Sequence, residues 1–256
     1  VRAVINEAVC DNCGDCSAQS NCLSVATVDT PFGRKRQIDQ SSCNKDFSCV
    51  KGFCPSFVTI EGGQLRKQAA LSTADDLFAA LPEPQLPALD RPWNILVNGV
   101  GGTGVVTIGA LLGMAAHLEG KNVSTLDMAG LAQKGGAVWS HIRIAADGSP
   151  IHAARIAAGE ADALLGCDLV VSAGDETLAK LQAGVARAIV NTAEGMTSEF
   201  VRGFARQARS GDVQANPDPQ FGASGMQQRI AAALAQGDIE FLDATALATA
   251  LLGDAI

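Results

Sequence analysis

Seven of the eight cysteines in this 256-residue chain fall within its first 54 residues, and Cys10, Cys13 and Cys16 stand in the frame C-x-x-C-x-x-C. One short loop at that spacing can aim three thiolates at three corners of an iron–sulfur cube, and the fourth corner needs a thiolate from elsewhere. In the bacterial ferredoxin pattern that ligand precedes a proline, and Cys54 and Pro55 make the one Cys-Pro pair here. Cys22, Cys43 and Cys49 lie between and would begin a second set, one ligand short. That set would hold a three-iron cluster, or take a fourth ligand from Asp46 or from a missing part of the protein, or hold nothing. Cys43-x5-Cys49-x4-Cys54 also departs from the ferredoxin run, so one cluster or two remain open. Cys167 is the single cysteine of the remainder and reads as a small buried hydrophobe.

Disulfides would require an oxidising compartment, and residues 1–9 are neither basic nor long enough for a secretory leader. Zinc favours separated C-x-x-C knuckles, and no second C-x-x-C follows the tight triple run. The segment is too short for a good apolar core, so metal binding is expected to supply much of its folding free energy. A net charge of −8 argues against nucleic acid and anionic membranes as general partners. The apolar runs fall far short of a membrane span. Unpaired thiols fit a reducing cytoplasm. A chain that begins with Val1 reads as a piece of something longer.

The chain divides into a cysteine module at 1–62, a linker at 63–92 and a larger domain at 93–256. The linker is read as a short helix capped by Ser72 or Thr73, followed by a spacer carrying Pro82, Pro84, Pro87 and Pro92. Beyond it, strands are predicted at 95–97, 123–128, 137–145, 169–172, 188–190 and 239–242. Helices are predicted at 105–119, 160–165, 175–185, 225–236 and 244–252. Such alternation implies an α/β fold with a doubly wound, mainly parallel sheet, behind a small ferredoxin-like iron–sulfur module.

Gly99, Gly101, Gly102, Thr103 and Gly104 lie in a G-x-G-x-x-G loop between a predicted strand and a predicted helix. There backbone N–H groups and a helix N-terminus can meet a phosphate, or the glycines only allow close strand–helix packing. Asp127, ending the second predicted strand, sits where a ribose-binding acid would be expected. A second glycine-rich stretch holds Gly130, Gln133, Lys134, Gly135 and Gly136 and is expected beside the first, at the carboxyl ends of the strands. Lys134 would contact an anion there, or is simply solvated.

Residues 10–16 (CDNCGDC), 32–36 (FGRKR), 41–49 (SSCNKDFSC) and 51–57 (KGFCPSF) resemble the iron–sulfur segment of the fused bacterial indolepyruvate ferredoxin oxidoreductases. Gly99 to Gly104, on to Gly136, resembles the gamma domain of 2-oxoacid:ferredoxin oxidoreductases. That resemblance implies oxidative decarboxylation of an aryl 2-oxoacid such as indolepyruvate by thiamine diphosphate. Electrons would leave through 4Fe-4S clusters to ferredoxin, and the acyl group would pass to coenzyme A. Thiamine diphosphate is expected in domains of the same enzyme outside this chain, with a homo-oligomer formed through the complete enzyme. The gamma domain is then truncated, and its glycine loops are candidates for coenzyme A.

Two rival readings remain: an NAD- or flavin-linked oxidoreductase using the glycine loop and Asp127, and a non-enzymatic iron–sulfur protein for interaction or sensing. Arg34, Lys35 and Arg36 are the only three consecutive basic residues, and read either as a solvated hairpin or as a docking patch for an acidic ferredoxin. His117, His141 and His152 share no metal-ligand spacing and read as structural or surface residues.

Overall fold

The computed structural model describes residues 1–20, 22, 24–40, 42–63, 81–130, 136–193, 195, 222–235 and 237–252. The linker helix predicted around 72–80 therefore lies outside the described residues, as do Gln133, Lys134 and Gly135. Residues 1–67 belong to one compact unit, and 68–194 with 222–255 form another.

The first unit is built from two small antiparallel sheets. β1 (Arg2–Ile5) pairs with β4 (Phe57–Ile60), bringing the two ends of the segment together. β2 (Val25–Thr30) and β3 (Gly33–Ile38) form a hairpin in which Gly33, at φ 88°, takes the left-handed turn position. Helix α1 (Asp15–Ser20) packs against a single 3₁₀ turn (Ser48–Val50). The core holds Ala3, Ile5, Val25 and Ile38 together with buried Cys10 and Cys49, and Cys16, Cys22 and Cys43 pack against it. Aliphatic side chains are few here, as expected for so short a segment.

The second unit is a six-stranded sheet. Its strands are β5 (Trp93–Val100), β6 (Asn122–Ala129), β7 (Ala137–Ala145), β8 (Ala163–Gly166), β9 (Arg187–Asn191) and β10 (Ile239–Leu242), in the order β10-β9-β8-β5-β7-β6. The pairings from β10 to β5 are parallel. β7 runs antiparallel to both β5 and β6, so β6 points the same way as β5. Both faces are covered. Helix α2 (Val105–Leu118) lies over Val97, Val138 and Ile142. Gly109 and Gly113 let it approach closely, since a Cβ on either would meet Ser140 or Thr125 below 3 Å. On the other face, α3 (Leu169–Ser172) and α4 (Asp175–Leu178) are tied to β5 and β7 by buried hydrogen bonds. Thr177 accepts from Asn98 (2.9 Å) and Trp139 (3.0 Å), while Ser172 donates to Asn98 (2.9 Å). Helices α5 (Ala223–Leu234) and α6 (Ala244–Leu252) flank β10 in the chain.

The stretch 160–185 departs from expectation. A helix was predicted at 160–165 and a strand at 169–172, whereas the structure has a strand first and a helix second. Residues 163–166 are drawn into parallel pairing with both β5 and β9. Asp168 then starts α3 by accepting the Val171 N–H at 2.8 Å, an N-cap that no strand would need. The predicted helix 175–185 stops at Leu178, because the backbone beyond it bonds to the sheet edge: Ala161 donates to Lys180 and accepts from Gln182.

Candidate functional site: a cysteine module and a glycine rim

In the first unit, backbone bonding places Cys54 on the side of the triple run. Asn6 N–H donates to Ser56 C=O at 2.7 Å and Cys10 N–H donates to Asn6 C=O at 3.0 Å, so the chain flanking Cys54 is bonded to the chain flanking Cys10. The Cys54 and Ser56 side chains lie 3.0 Å apart. Cys10 Sγ accepts an N–H from Asn12 at 3.4 Å, and Lys35 Nζ donates to the Cys10 carbonyl at 2.6 Å. Burial pushes the Cys13 and Cys16 thiols up, with Asp11 and Cys16 among the anions adding to the effect on Cys13 and Cys10 to that on Cys16. Cys49 is raised by burial too, and its sulfur neighbours are Cys22 and Cys43. The thiols thus fall into two electrostatic groups, Cys10 with Cys13 and Cys16, and Cys22 with Cys43 and Cys49. All are free, and among the described residues no three His, Cys, Asp or Glu side chains converge on a single-ion site. Asp46, weighed as a substitute ligand, caps the 3₁₀ turn by accepting from both the N–H and the hydroxyl of Ser48.

The basic run is not a free patch. Arg34 pairs with Asp29 across the hairpin, Lys35 is bound to the Cys10 carbonyl, and Arg36 is 2% exposed. One of the three cations is withdrawn from any docking face, because alternation along β3 turns Arg36 to the inner face it shares with buried Ile38. That alternation was the signal that could have identified Arg36 as an interior cation. Among the described residues its Nε and Nη1 have no hydrogen-bond partner, and the thiols acting on it electrostatically are Cys16, Cys10 and Cys13.

In the second unit, the glycine loop occupies the carboxyl rim of the sheet as expected. Its residues divide by role. Gly99 is a packing glycine, since a Cβ there would stand 2.8 Å from Val105 and 3.1 Å from Cys167. Gly101 N–H is spent on the Gly136 carbonyl (2.8 Å), which brings Gly136 against the first glycine loop, and Gly130 N–H bonds the Ala137 carbonyl (3.0 Å). Thr103 Oγ1 donates to Val100 C=O at 2.6 Å. Gly102 and Gly104 have φ of 95° and 85° and open space where a Cβ would be. Among the described residues no side chain caps α2, and its first turn borders a cavity of about 300 Å³ lined by Gly101, Gly102, Gly104, Val105, Thr107 and Val138. Beside it, Cys167 N–H donates to Asn98 C=O (2.8 Å), and the Cys167 thiol is raised by burial, then by Asp168. Asp168 is itself raised by burial against the pull of its bonds from Val171 and Val170. Asn191 Nδ2 donates to the Cys167 carbonyl and to Thr245 Oγ1, tying the ends of β8 and β9 to α6.

Asp127 does not take the ribose position. β7 stands between β5 and β6, placing Asp127 two strand spacings from β5, about 10 Å. Among the histidines, His117 and His152 are exposed, while His141 is buried and accepts the Ile156 N–H at Nδ1.

Residues 94–255 match the family described as pyruvate ferredoxin/flavodoxin oxidoreductase. The indolepyruvate oxidoreductase subunit IorB of Methanothermobacter thermautotrophicus is 40% identical over 73 residues, 28% of this chain and 35% of that protein. Its namesake from Pyrococcus horikoshii is 35% identical over 75 residues, 29% and 36% of the two chains. The chain therefore spans about a third of the length of the curated relatives it matches. Among solved structures, the pyruvate oxidoreductase subunit PORC of Thermotoga maritima is 20% identical with a TM-score of 0.41, over 65% of this chain and 70% of that one. The 2-oxoglutarate:ferredoxin oxidoreductase of Magnetococcus marinus, solved with 2-oxoglutarate, coenzyme A and succinyl-CoA, is 18% identical with a TM-score of 0.35, over 41% and 17%.

Proposed function

The chain belongs to the pyruvate ferredoxin/flavodoxin oxidoreductase family, and from that premise we propose that it is the electron-relaying and acyl-acceptor portion of a 2-oxoacid:ferredoxin oxidoreductase acting on indolepyruvate or a related aryl 2-oxoacid. Cys10, Cys13, Cys16 and Cys54 are assigned to one 4Fe-4S cluster. Cys22, Cys43 and Cys49 contribute to a second if their fourth ligand is supplied. A bound cluster supplies one-electron redox chemistry, passing electrons toward ferredoxin.

The observation that carries this reading is that cysteines stand in the core of the first unit where a domain would place aliphatic residues. Five thiols in or against a core of so few aliphatics stabilise it little by themselves, and ligation would turn them into its main cross-links. In the second unit, Gly102, Gly104 and the uncapped start of α2 are assigned to the phosphates of coenzyme A, where backbone N–H groups and the helix dipole favour an anion. Gly99 and Gly101 shape that loop rather than contact the ligand. The thiamine diphosphate step is assigned to other domains of the enzyme.

Anaerobic reconstitution with ferrous iron and sulfide tests the proposal. About four irons and four sulfides per cube, with visible absorbance that dithionite bleaches, is the expected result. Failure to take up acid-labile sulfide overturns it. In the complete enzyme, indolepyruvate with coenzyme A should reduce ferredoxin.

A further inference from the structure

Among the described residues Arg36 is the most deeply enclosed cation of the first unit, and the groups acting on it are the wrong ones for a structural salt bridge. Buried cations are ordinarily paired with a carboxylate, because an uncompensated charge in the interior is strongly destabilising. Arg36 is 2% exposed, two of its donor nitrogens are unbonded, and Cys16, Cys10 and Cys13 are the groups that act on it electrostatically as anions. The strand geometry holds it there: register pairing of Arg36 with Thr27 and the burial of Ile38 two residues on keep its side chain inward. The adjacent Lys35 anchors the same loop from its other side through the Cys10 carbonyl.

We infer that Arg36 donates N–H···S hydrogen bonds, through Nε and Nη1, to the cluster held by Cys10, Cys13 and Cys16, and that it raises the reduction potential of that cluster above the one its thiolates alone would set. The inference rests on the iron–sulfur reading above. The chemistry is balanced without a proton or a bond change. Four thiolates leave an oxidised 4Fe-4S centre with a net charge of about −2, and one added electron makes it about −3. A fixed guanidinium close by stabilises the more negative form more strongly, since attraction scales with charge and is weakly screened in the interior. Hydrogen bonds to the sulfurs act in the same direction. The cation in turn gains an anionic partner for the two nitrogens that lack one among the described residues.

The test uses the full chain, reconstituted anaerobically, with iron and sulfide assayed first. In the parent labelled with ¹⁵N-arginine, pulsed electron paramagnetic resonance of the reduced cluster should show hyperfine coupling to an arginine nitrogen, a measurement that needs no variant. Potentiometric titration of Arg36→Gln should then shift the reduced-to-oxidised ratio at a fixed poise about tenfold toward oxidised, which is ~59 mV for a one-electron couple. Arg36→Lys should restore part of that shift, because it keeps the charge and loses the planar fork. Arg34→Gln removes the same charge from the same strand at a position paired with Asp29 and should shift the ratio much less. A fully loaded parent with no arginine coupling, or an Arg36→Gln variant with full iron and an unchanged potential, overturns the inference and leaves the iron–sulfur reading standing. A parent that takes up no iron or sulfide overturns both.

Discussion

Protonation of His141 should destabilise the second unit by roughly 3 kcal/mol when complete, with a sign and pH window set by its surroundings. The side chain is 1% exposed on β7, and its Nδ1 accepts the Ile156 N–H at 3.2 Å, so the neutral ring must carry its hydrogen on Nε2. Burial first, then the charges of Lys180 and Arg155, push its pKa down to about 4 from an ordinary 6.5. Between those values the unfolded chain binds more protons than the folded one, so stability falls as the pH falls. The effect vanishes well above pH 6.5, reaches about 2 kcal/mol by pH 5 and is complete only below pH 4. The assay is selective because both tryptophans, Trp93 and Trp139, belong to the second unit and the chain has no tyrosine. Urea unfolding followed by tryptophan fluorescence therefore reports that unit without interference from the cysteine module. The parent should lose stability between pH 7.5 and pH 5, and His141→Gln should lose about 2 kcal/mol less over the same interval. Equal losses in parent and variant would show that His141 titrates normally in the fold and that the burial argument is wrong.

In the cysteine module, Cys13→Ser should lower bound iron and unfold the first unit together, because ligation and folding are coupled there; iron analysis and limited proteolysis check both. Gly102→Val forces a β-branched residue to φ 95°, at a cost of about 1–2 kcal/mol, and should weaken coenzyme A binding at least tenfold in calorimetry on the complete enzyme. Unchanged affinity in a folded variant would return the loop to a purely packing role. At the opposite rim, Arg91 donates both Nη groups to Asp162, whose side chain is fully buried and also accepts the Asn94 N–H. Arg91→Met leaves that carboxylate without its cation and should cost about 1–3 kcal/mol in urea unfolding, less than for a fully buried pair because Arg91 is half exposed. Arg91→Met with Asp162→Asn should recover part of the loss, since the buried charge is gone and the Asn94 bond can persist.

What was legible in the sequence follows from how local each determinant is. β7 (137–145), β10 (239–242) and α6 (244–252) carry their pattern within one segment, and the structure places them at the bounds read from sequence. The runs at 163–166 and 169–172 are both short and apolar, and periodicity cannot separate a buried strand from a buried helix at that length. Parallel pairing with β5 and β9 decided the first and the Asp168 cap the second. Asp168 before Leu169 was readable as a helix start, whereas the pairing partners are 68 and 24 residues away. Strand order was still less accessible. That β7 lies between β5 and β6, and so moves Asp127 away from the glycine loop, depends on pairing between segments and cannot be read from β6 alone.

The candidate site divides in the same way. Cysteine spacing points to candidate ligands because three thiols in one loop are a local arrangement, and the glycine loop is local for the same reason. Charge compensation is not local. Arg36 is 20 residues from Cys16, and it became part of the site only because the β2–β3 hairpin folds that strand against the module core. In the linear sequence its two basic neighbours made it look like surface, while the period of two that buries Ile38 pointed the other way. Where run composition and strand period disagree, period decides which side chains are inside, since burial is enforced by packing along the whole strand and a cluster of like charges is relieved one residue at a time. Here Asp29 takes Arg34 and the Cys10 carbonyl takes Lys35, and the remaining cation is left within electrostatic reach of the thiols.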